Sequence, residues 1–244
     1  MIANEPNGEN INLASGATHT ENLIKNLKKG EIGAAFDGDA DRLIMVDENG
    51  ITCNGDVLIL LIAKYLSSTN QLNNDVVVST VMSNFGFKTA MEKNNFKNIE
   101  TAVGDKYVAE AMKKYDAALG GEQSGHIIIS DLLPVGDGLV TLIYVLKAMQ
   151  HFGVALSDFK REHLYEYPQK LTNLELKNKL NDEELEYINQ IALDMSIKKD
   201  LDGRYLIRNS GTEPLLRVLV EAKSNEAMEE FSNELITKIN KYLN

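Results

Sequence analysis

Cysteine, long apolar runs and positive charge are all scarce in this chain, and each shortage excludes something. Cys53 is the single cysteine among 244 residues, so no disulfide forms within the chain and a reducing compartment fits. The densest apolar run, VLILLIA at 57–63, falls far short of the ~20 residues that span a bilayer. The opening MIANEPNGEN has no basic stretch followed by an apolar core, so no secretory signal is visible and the cytoplasm is the expected compartment. A net charge of −11 argues against a nucleic-acid groove and against an anionic membrane surface, so neither nucleic acid nor membrane is expected as a partner. It leaves phosphate ligands open, because local Arg and Lys clusters or a metal can reverse the field. There is no internal repeat and no low-complexity tract. The 43% apolar and 25% charged content is that of a soluble globule long enough for one large domain or two small ones.

One segment departs from this ordinary texture: AAFDGDADRLIMV, at 34–46. Asp37, Asp39 and Asp41 alternate, with Arg42 directly behind them, between two apolar runs that have the length of strands. On an extended backbone each two-residue step spans roughly 6 to 7 Å, too far for the outer pair to grip one ion. The loop must therefore curl, with Gly38 supplying backbone freedom and Ala40 adding little bulk. Curling crowds three carboxylates, and like charges ~4 to 5 Å apart repel by ~3 to 4 kcal/mol per pair at an effective dielectric near 20. A hard divalent cation removes the difficulty, and oxygen ligands alone point to Mg²⁺, Ca²⁺ or Mn²⁺, with Mg²⁺ favoured if a phosphate completes its shell. Three other readings remain: a solvated acidic turn, an aspartate nucleophile of the phosphatase kind, and an EF-hand-like Ca²⁺ loop. Counted from Asp37, the EF-hand positions 1, 3, 5 and 12 are acidic, but Arg42 sits at position six where that loop wants Gly, and the flanks read as strands.

Beyond this loop strand and helix alternate. VLILLIAKYL reads as a buried helix with Asp56 at its positive end, DVVVST as a buried strand, NFGFKTAMEKN as a helix and NIETA as a short strand. GDKYVAEAMKKY is an amphipathic helix with Val108, Met112 and Tyr115 on its apolar stripe. DAALGGE and HIIIS are strands, and a long helix ends near Gly153. This order implies a parallel or mixed sheet with crossover helices. Near residue 165 the texture changes, and a β-α-β-β-α module follows, its last helix capped by Ser224.

Two more loops carry chemistry. GGEQSGH at 120–126 has three glycines that let a ligand approach. On extended backbone Glu122 and Ser124 point the same way, a carboxylate and a hydroxyl suited to vicinal sugar hydroxyls; a plain Gly-rich hairpin is the alternative. RNSGTEP at 208–214 offers the Arg208 fork, Asn209, the hydroxyls of Ser210 and Thr212, and Gly211 as the centre of an anion nest; a polar hairpin turn is the alternative, and Arg217 reads as a strand-face residue.

DGDADR, GEQSGH and RNSGTEP, in this order and spacing, resemble the motifs of the α-D-phosphohexomutase superfamily. The connecting text EPNGENIN…SGATHTENL, TVMSNFGF, VGDKYVAEAM and GGEQSGHII closely resembles its bacterial phosphoglucosamine mutase family, across essentially the whole chain. The resemblance implies an α/β fold with mixed sheets and crossover helices plus a C-terminal α+β domain. It assigns 1–52 to the remnant of domain 2 with the metal loop, 53–164 to domain 3 with the sugar loop, and 165–244 to domain 4 with the phosphate loop. It implies that Asp37, Asp39 and Asp41 hold Mg²⁺, that Arg42 lies by the transferring phosphoryl group, and that Glu122 and Ser124 contact sugar hydroxyls. Arg208, Asn209, Ser210, Gly211 and Thr212 would form the grip on the other phosphate, while His126, Asp105 and Lys106 are weaker candidates for proton handling. The implied reaction interconverts glucosamine 6-phosphate and glucosamine 1-phosphate through a phosphoserine and a bisphosphate, so a phosphorylated hexosamine is the expected partner; a homodimer is left open. Two departures accompany the resemblance. Lys106 stands where the family commonly has Arg. The serine-bearing TASHNP-like loop has no counterpart, so the chain is expected to be N-terminally truncated, inactive alone and dependent on the missing N-terminal half. Gln123 and VGDKYV favour glucosamine over the phosphomannomutase or phosphoglucomutase alternative of the same superfamily.

Overall fold

The structure is a computed structural model and describes residues 1–211 and 213–243. Two compact units form, Met1–Tyr165 and Glu166–Asn244.

The first unit runs α1 (Glu21–Asn26), β1 (Gly33–Phe36), β2 (Leu43–Val46), β3 (Thr52–Cys53), α2 (Gly55–Ser68), β4 (Val76–Thr80), α3 (Phe85–Lys93), β5 (Lys97–Thr101), α4 (Asp105–Tyr115), β6 (Leu119–Gly121), β7 (Ile127–Ile129), α5 (Gly138–Phe152) and α6 (Leu156–His163). Strands β1-β2-β3 make a small antiparallel sheet. The second sheet has the order β5-β4-β6-β7, with β4 parallel to both β5 and β6 and β7 antiparallel to β6. The expected mixed sheet with crossover helices is therefore present.

Why this arrangement forms is clearest at α2. Residues from Val57 to Ala63 are all inaccessible to solvent, and a helix that is apolar on every side is stable only when surrounded. It packs in one core with Leu43, Met45, Phe87, Leu119, Val145 and Phe159. Truncating one such leucine to alanine costs about 2 to 5 kcal/mol. The β4 valines divide between the two faces of their sheet: Val77 joins the α2 core, while Val76 and Val78 join Val108, Met112 and Ile128 on the α4 side. This gives helices on both faces of the sheet. Asn54 caps α2 through Val57 N–H, Asp137 caps α5 through Val140 N–H, and Gly153 ends α5 in the left-handed conformation.

The second unit runs β8 (Gln169–Glu175), α7 (Asp182–Lys198), β9 (Gly203–Asn209), β10 (Leu215–Ala222) and α8 (Asn225–Leu243), the expected β-α-β-β-α order. Its antiparallel sheet has the order β8-β10-β9. Leu216, Val218 and Val220 alternate along β10 and pack on Ile188, Ala192, Phe231 and Leu235 of the two helices. Asn181 and Glu184 form a reciprocal capping box at α7, and Ser224 Oγ accepts from Ala227 N–H at α8.

Four local features differ from expectation. Tyr115 is exposed rather than on the buried stripe of α4, its ring lying under the ammonium groups of Lys97 and Lys114. Helices α1 and α6 and strand β3 were not anticipated. Among the described residues no single helix is long and apolar enough to cross a membrane.

Candidate metal, sugar and phosphate loops

Strands β1 and β2 pair Phe36 with Leu43, so residues 37–42 form the hairpin loop between them. The loop curls. One carboxylate oxygen from each of Asp37, Asp39 and Asp41 lies within 4.8 Å of the others. The residue that turns the chain is Ala40, at φ 60°, rather than Gly38; Ala40 N–H bonds back to Asp37 O at 3.1 Å. Gly38 serves by its size, since a Cβ there would stand 2.5 Å from Ile11 Cγ2. Gly138 N–H donates to Ala40 O at 2.9 Å and fixes the tip against the start of α5.

Two of the carboxylates are held individually. Asp37 Oδ1 accepts from Arg42 N–H at 3.1 Å, and Arg42 Nε stands 3.6 Å from Asp37 Oδ2 and 3.9 Å from Asp41 Oδ1. Asp41 Oδ2 is 2.9 Å from His126 Nδ1, while Asp41 Oδ1 is buried without a hydrogen-bond partner. A buried carboxylate oxygen left orphaned, beside two other acidic side chains, fits a hard cation: all donors are oxygens, and the cation would meet the unmatched charge. The flanks of the loop are strands, which removes the EF-hand reading.

The sugar loop is not extended. Residues 122–125 form a turn closed by Gly125 N–H to Glu122 O at 2.9 Å, with Gly125 at φ 93°. Glu122 and Ser124 therefore do not share a strand face as the spacing suggested. Glu122 Oε1 accepts from Gly104 N–H at 2.9 Å, just ahead of α4, and Ser124 is exposed. The turn is clamped from two sides. Gly55 N–H donates to Gln123 O at 2.9 Å, and Leu43 N–H donates to Gly125 O at 3.0 Å. Gln123 Nε2 also donates to the buried Asp56 Oδ2 at 3.3 Å, which accepts from Asn84 N–H at 2.8 Å. Gly55, Asp56 and Asn84 are supports that sequence reasoning missed. The Gly-Asp opening of α2 was visible, but a Cβ on Gly55 would lie 2.0 Å from Glu122 O, a contact no spacing rule reveals.

Immediately after this turn, His126 pairs its backbone with Arg42 across an isolated antiparallel bridge. The metal loop and the sugar loop are thus neighbours within one unit. Asp105 and Lys106 lie at the exposed start of α4. Asp105 Oδ1 accepts from Lys106 N–H at 2.7 Å, and Lys106 Nζ is 3.9 Å from Glu110. Among the described residues no hydrogen bond or ion pair joins either side chain to the three aspartates, Glu122 or His126.

In the second unit Arg208 and Asn209 end β9. Arg208 lies directly opposite Arg217 of β10, so the two guanidinium groups share a sheet face. Burial, reinforced by the neighbouring Arg217 charge, pushes the Arg208 guanidinium below its usual value. Arg217 Nε is buried without a hydrogen-bond partner, and Glu213 is 3.9 Å away. Ser210 is buried, its N–H donating to Leu215 O at 2.8 Å and its Oγ without a partner. Two close cations and an unmatched hydroxyl suit an anion. The Asn209 side chain instead brackets the backbone of Leu180, accepting at 3.3 Å and donating at 2.8 Å. Lys179 Nζ donates to Gly211 O at 2.5 Å. Thr212 lies outside the described residues.

Comparison with known proteins identifies the family. Residues 54–167 match the family model described as phosphoglucomutase/phosphomannomutase, alpha/beta/alpha domain III, and residues 171–238 match that of the C-terminal domain of the same family. A phosphoglucosamine mutase of Streptococcus agalactiae is 46% identical over 233 residues, covering 94% of this chain and 52% of the relative. That of Bacillus subtilis is 44% identical over 237 residues, covering 96% and 53%. The chain spans about half the length of the curated relatives it matches. Among solved structures, the Aspergillus fumigatus N-acetylphosphoglucosamine mutase in complex with GlcNAc-6P and magnesium superposes with a TM-score of 0.79 at 20% identity, covering 96% of this chain and 54% of that one. A phosphoglucomutase/phosphomannomutase family protein of Burkholderia thailandensis gives 0.72 at 21%, covering 94% and 52%. With two models of one family matching successive stretches that together make up most of its length, the chain belongs to the phosphoglucomutase/phosphomannomutase family.

Proposed function

We propose that this chain is the C-terminal portion of a phosphoglucosamine mutase, an isomerase interconverting glucosamine 6-phosphate and glucosamine 1-phosphate. Relatives of that name at 46% and 44% identity support the sugar, as do Gln123 and the VGDKYV segment that favour it over the mannose and glucose enzymes of the superfamily. The observation that carries the chemistry is the convergence of three carboxylates within 4.8 Å, joined through His126 to the turn that bears Glu122.

In this reading residues 1–52 end domain 2, 53–164 are domain 3 and 165–244 are domain 4. The family matches at 54–167 and 171–238 support the last two. Asp37, Asp39 and Asp41 would hold Mg²⁺, the ion in the Aspergillus neighbour; when bound it supplies positive charge to the phosphoryl group in transfer. Arg42 adds a cation at the same place. Glu122 and Ser124 meet sugar hydroxyls. Arg208, Ser210, Gly211 and Thr212 hold the phosphate that is not transferring, and Arg217 joins them from the opposite strand, since its guanidinium faces that of Arg208. The side chain of Asn209 braces the neighbouring loop, and Asp105 and Lys106 act through the segment that presents Gly104 to Glu122.

A phosphoserine supplied by the other half of the enzyme gives its phosphoryl group to the sugar; the resulting bisphosphate reorients and returns the other one. No Ser-His-Asn-Pro sequence occurs in the 244 residues. The purified chain is therefore expected to bind glucosamine 6-phosphate in the presence of Mg²⁺, in preference to glucose and mannose 6-phosphates, without converting it. Calorimetry with the three sugars and a mutase assay on the same preparation test this. Equal binding of all three would remove the sugar assignment, and turnover by the chain alone would remove the assignment of the nucleophile to another segment.

A further inference from the structure

We propose that His126 is a positioning residue for the metal loop: its Nδ1–H holds Asp41 by Oδ2 and so presents Asp41 Oδ1 to the cation. The inference rests on the metal reading above and concerns how this chain's own residues build that site.

Several independent contacts fix the imidazole. His126 is 6% exposed. Its backbone is paired with Arg42 on one side, and its carbonyl accepts from Glu122 N–H at 3.0 Å on the other. The edge of the ring lies against Gly136, where a Cβ would stand 2.4 Å from Nε2 and 2.5 Å from Cε1. Only a glycine lets the chain pass so close, so residue 136 acts as a bare wall behind the ring. The ring so held points Nδ1 at Asp41 Oδ2, 2.9 Å away. An ionised carboxylate only accepts hydrogen bonds, so Nδ1 carries the hydrogen.

The consequence falls on the other oxygen. With Oδ2 tied, Asp41 Oδ1 is left buried without a hydrogen bond in the cluster with Asp37 and Asp39, Arg42 Nε standing 3.9 Å away. Asp37 is held in the same manner, by Arg42 N–H on Oδ1. Each of these two carboxylates thus has one oxygen held by a hydrogen bond, while the other makes none and stands 3.6 Å (Asp37) or 3.9 Å (Asp41) from Arg42 Nε. A histidine donating to a ligand carboxylate fixes its orientation and removes the cost of ordering it when the metal arrives. Because His126 directly follows the sugar turn, it also couples that turn to the metal loop.

The test measures Mn²⁺ binding to the full 244-residue chain by the EPR signal of free Mn²⁺, with the melting temperature in EDTA as a control for folding. His126→Phe keeps a ring but removes the donor and is expected to weaken Mn²⁺ binding about 10- to 100-fold. His126→Asn can place an amide N–H where Nδ1 stood and is expected to recover most of that loss. In the wild-type chain, ¹⁵N shifts of the imidazole should report the Nδ1–H tautomer, and Asp41→Ala, which removes the acceptor, should abolish that signature. Wild-type affinity in His126→Phe, or equal losses in both variants at unchanged melting temperature, would overturn the proposal. If His126→Phe fails to fold, a loss of affinity in a folded His126→Asn overturns it alone. Absence of Mn²⁺ binding by the wild-type chain would overturn the metal reading instead, and the tautomer measurement tells that failure apart.

Discussion

The aspartate loop of the first unit and the serine-glycine loop of the second both gather like charges, but with opposite sign and on different supports. In the first, three carboxylates sit on a hairpin tip held by Gly138, Arg42 and His126. The turn beside it is wedged between α2 and β2 so closely that Gly55 has no room for a side chain. In the second, Arg208 and Arg217 face each other across two strands, and the turn beyond them is open: nothing lies within 4 Å of a Cβ built on Gly211. The difference teaches where each site keeps its precision. The aspartate loop is set by backbone packing, whereas the arginine pair is set by sheet register, with open space beside Gly211 and Lys179 donating to its carbonyl.

A matched pair of glycine substitutions gives the largest effect and the sharpest test. Gly55→Ala drives a Cβ into the backbone oxygen of Glu122, which cannot move without losing the Gly55–Gln123 hydrogen bond. The expected cost is at the top of the overpacking range, about 3 kcal/mol. Gly211→Ala adds a methyl to open space at a residue without positive φ and should be neutral or stabilise by about 0.4 to 1 kcal/mol through the unfolded chain. Urea denaturation of the two variants measures both. Similar changes would erase the proposed contrast in rigidity.

Removing a charge from the second loop comes next. Arg217→Gln should weaken binding of inorganic phosphate by about tenfold or more, the worth of one hydrogen bond to a charged group. In the ligand-free chain it should do the reverse, stabilising the sheet by several tenths of a kcal/mol, because like charges directly opposite each other on a sheet destabilise it. Calorimetry with phosphate and a thermal melt without it read the two signs separately. A loss of both would mean that Arg217 is a strut of the sheet rather than an anion ligand.

The sequence displayed this contrast only partly, for identifiable reasons. Charge spacing exposed the aspartate triad, because three alternating carboxylates on one short loop repel one another unless a cation offsets them. Apolar periodicity exposed α2, β4 and the β-α-β-β-α order, since burial leaves its mark on every third or second residue. What remained hidden depends on contacts distant in sequence. Helix α6 has its first amides capped by Glu48, more than a hundred residues earlier, so no local signal marks its start. The pairing of Arg208 with Arg217 is a matter of register across a turn. Glu122 and Ser124 looked coplanar because strand spacing was applied to what is a tight turn, set by Gly125 and by the approach of Gly55. Ala40, rather than the nearby glycine, takes the left-handed conformation because the hairpin is pinned at that residue by Gly138.

The aspartate loop should respond to charge removal as the arginine pair does. Asp39 is the exposed member of the triad, so screening limits its share of the repulsion to about 1 kcal/mol or less. Asp39→Asn should raise the melting temperature of the metal-free chain slightly and abolish the rise that Mn²⁺ produces in the wild type by binding the folded state. A melting temperature that still climbs with Mn²⁺ in this variant would place the ion elsewhere.

Acid separates the units once more. Burial raises the Glu48 carboxyl, but the hydrogen bonds it accepts from Ser157, its own backbone and Leu156 outweigh this and leave it below the usual value of 4.5. A group whose folded value is depressed contributes stability above the unfolded value and loses it as pH falls through the folded one. The α6 cap should therefore be intact above about pH 4.5 and fail below it, at a cost near that of a lost helix cap, about 1 kcal/mol. In the second unit Asp202 is lowered by its hydrogen bonds to Lys223 and Tyr167, yet it stands largely in solvent, where such pairs are screened. Glu48→Gln should flatten the acid limb of a stability curve between pH 5 and pH 3, whereas Asp202→Asn should leave it almost unchanged. Equal flattening by both would show that acid sensitivity follows the count of paired carboxylates and not, as the packing of the first unit implies, their burial.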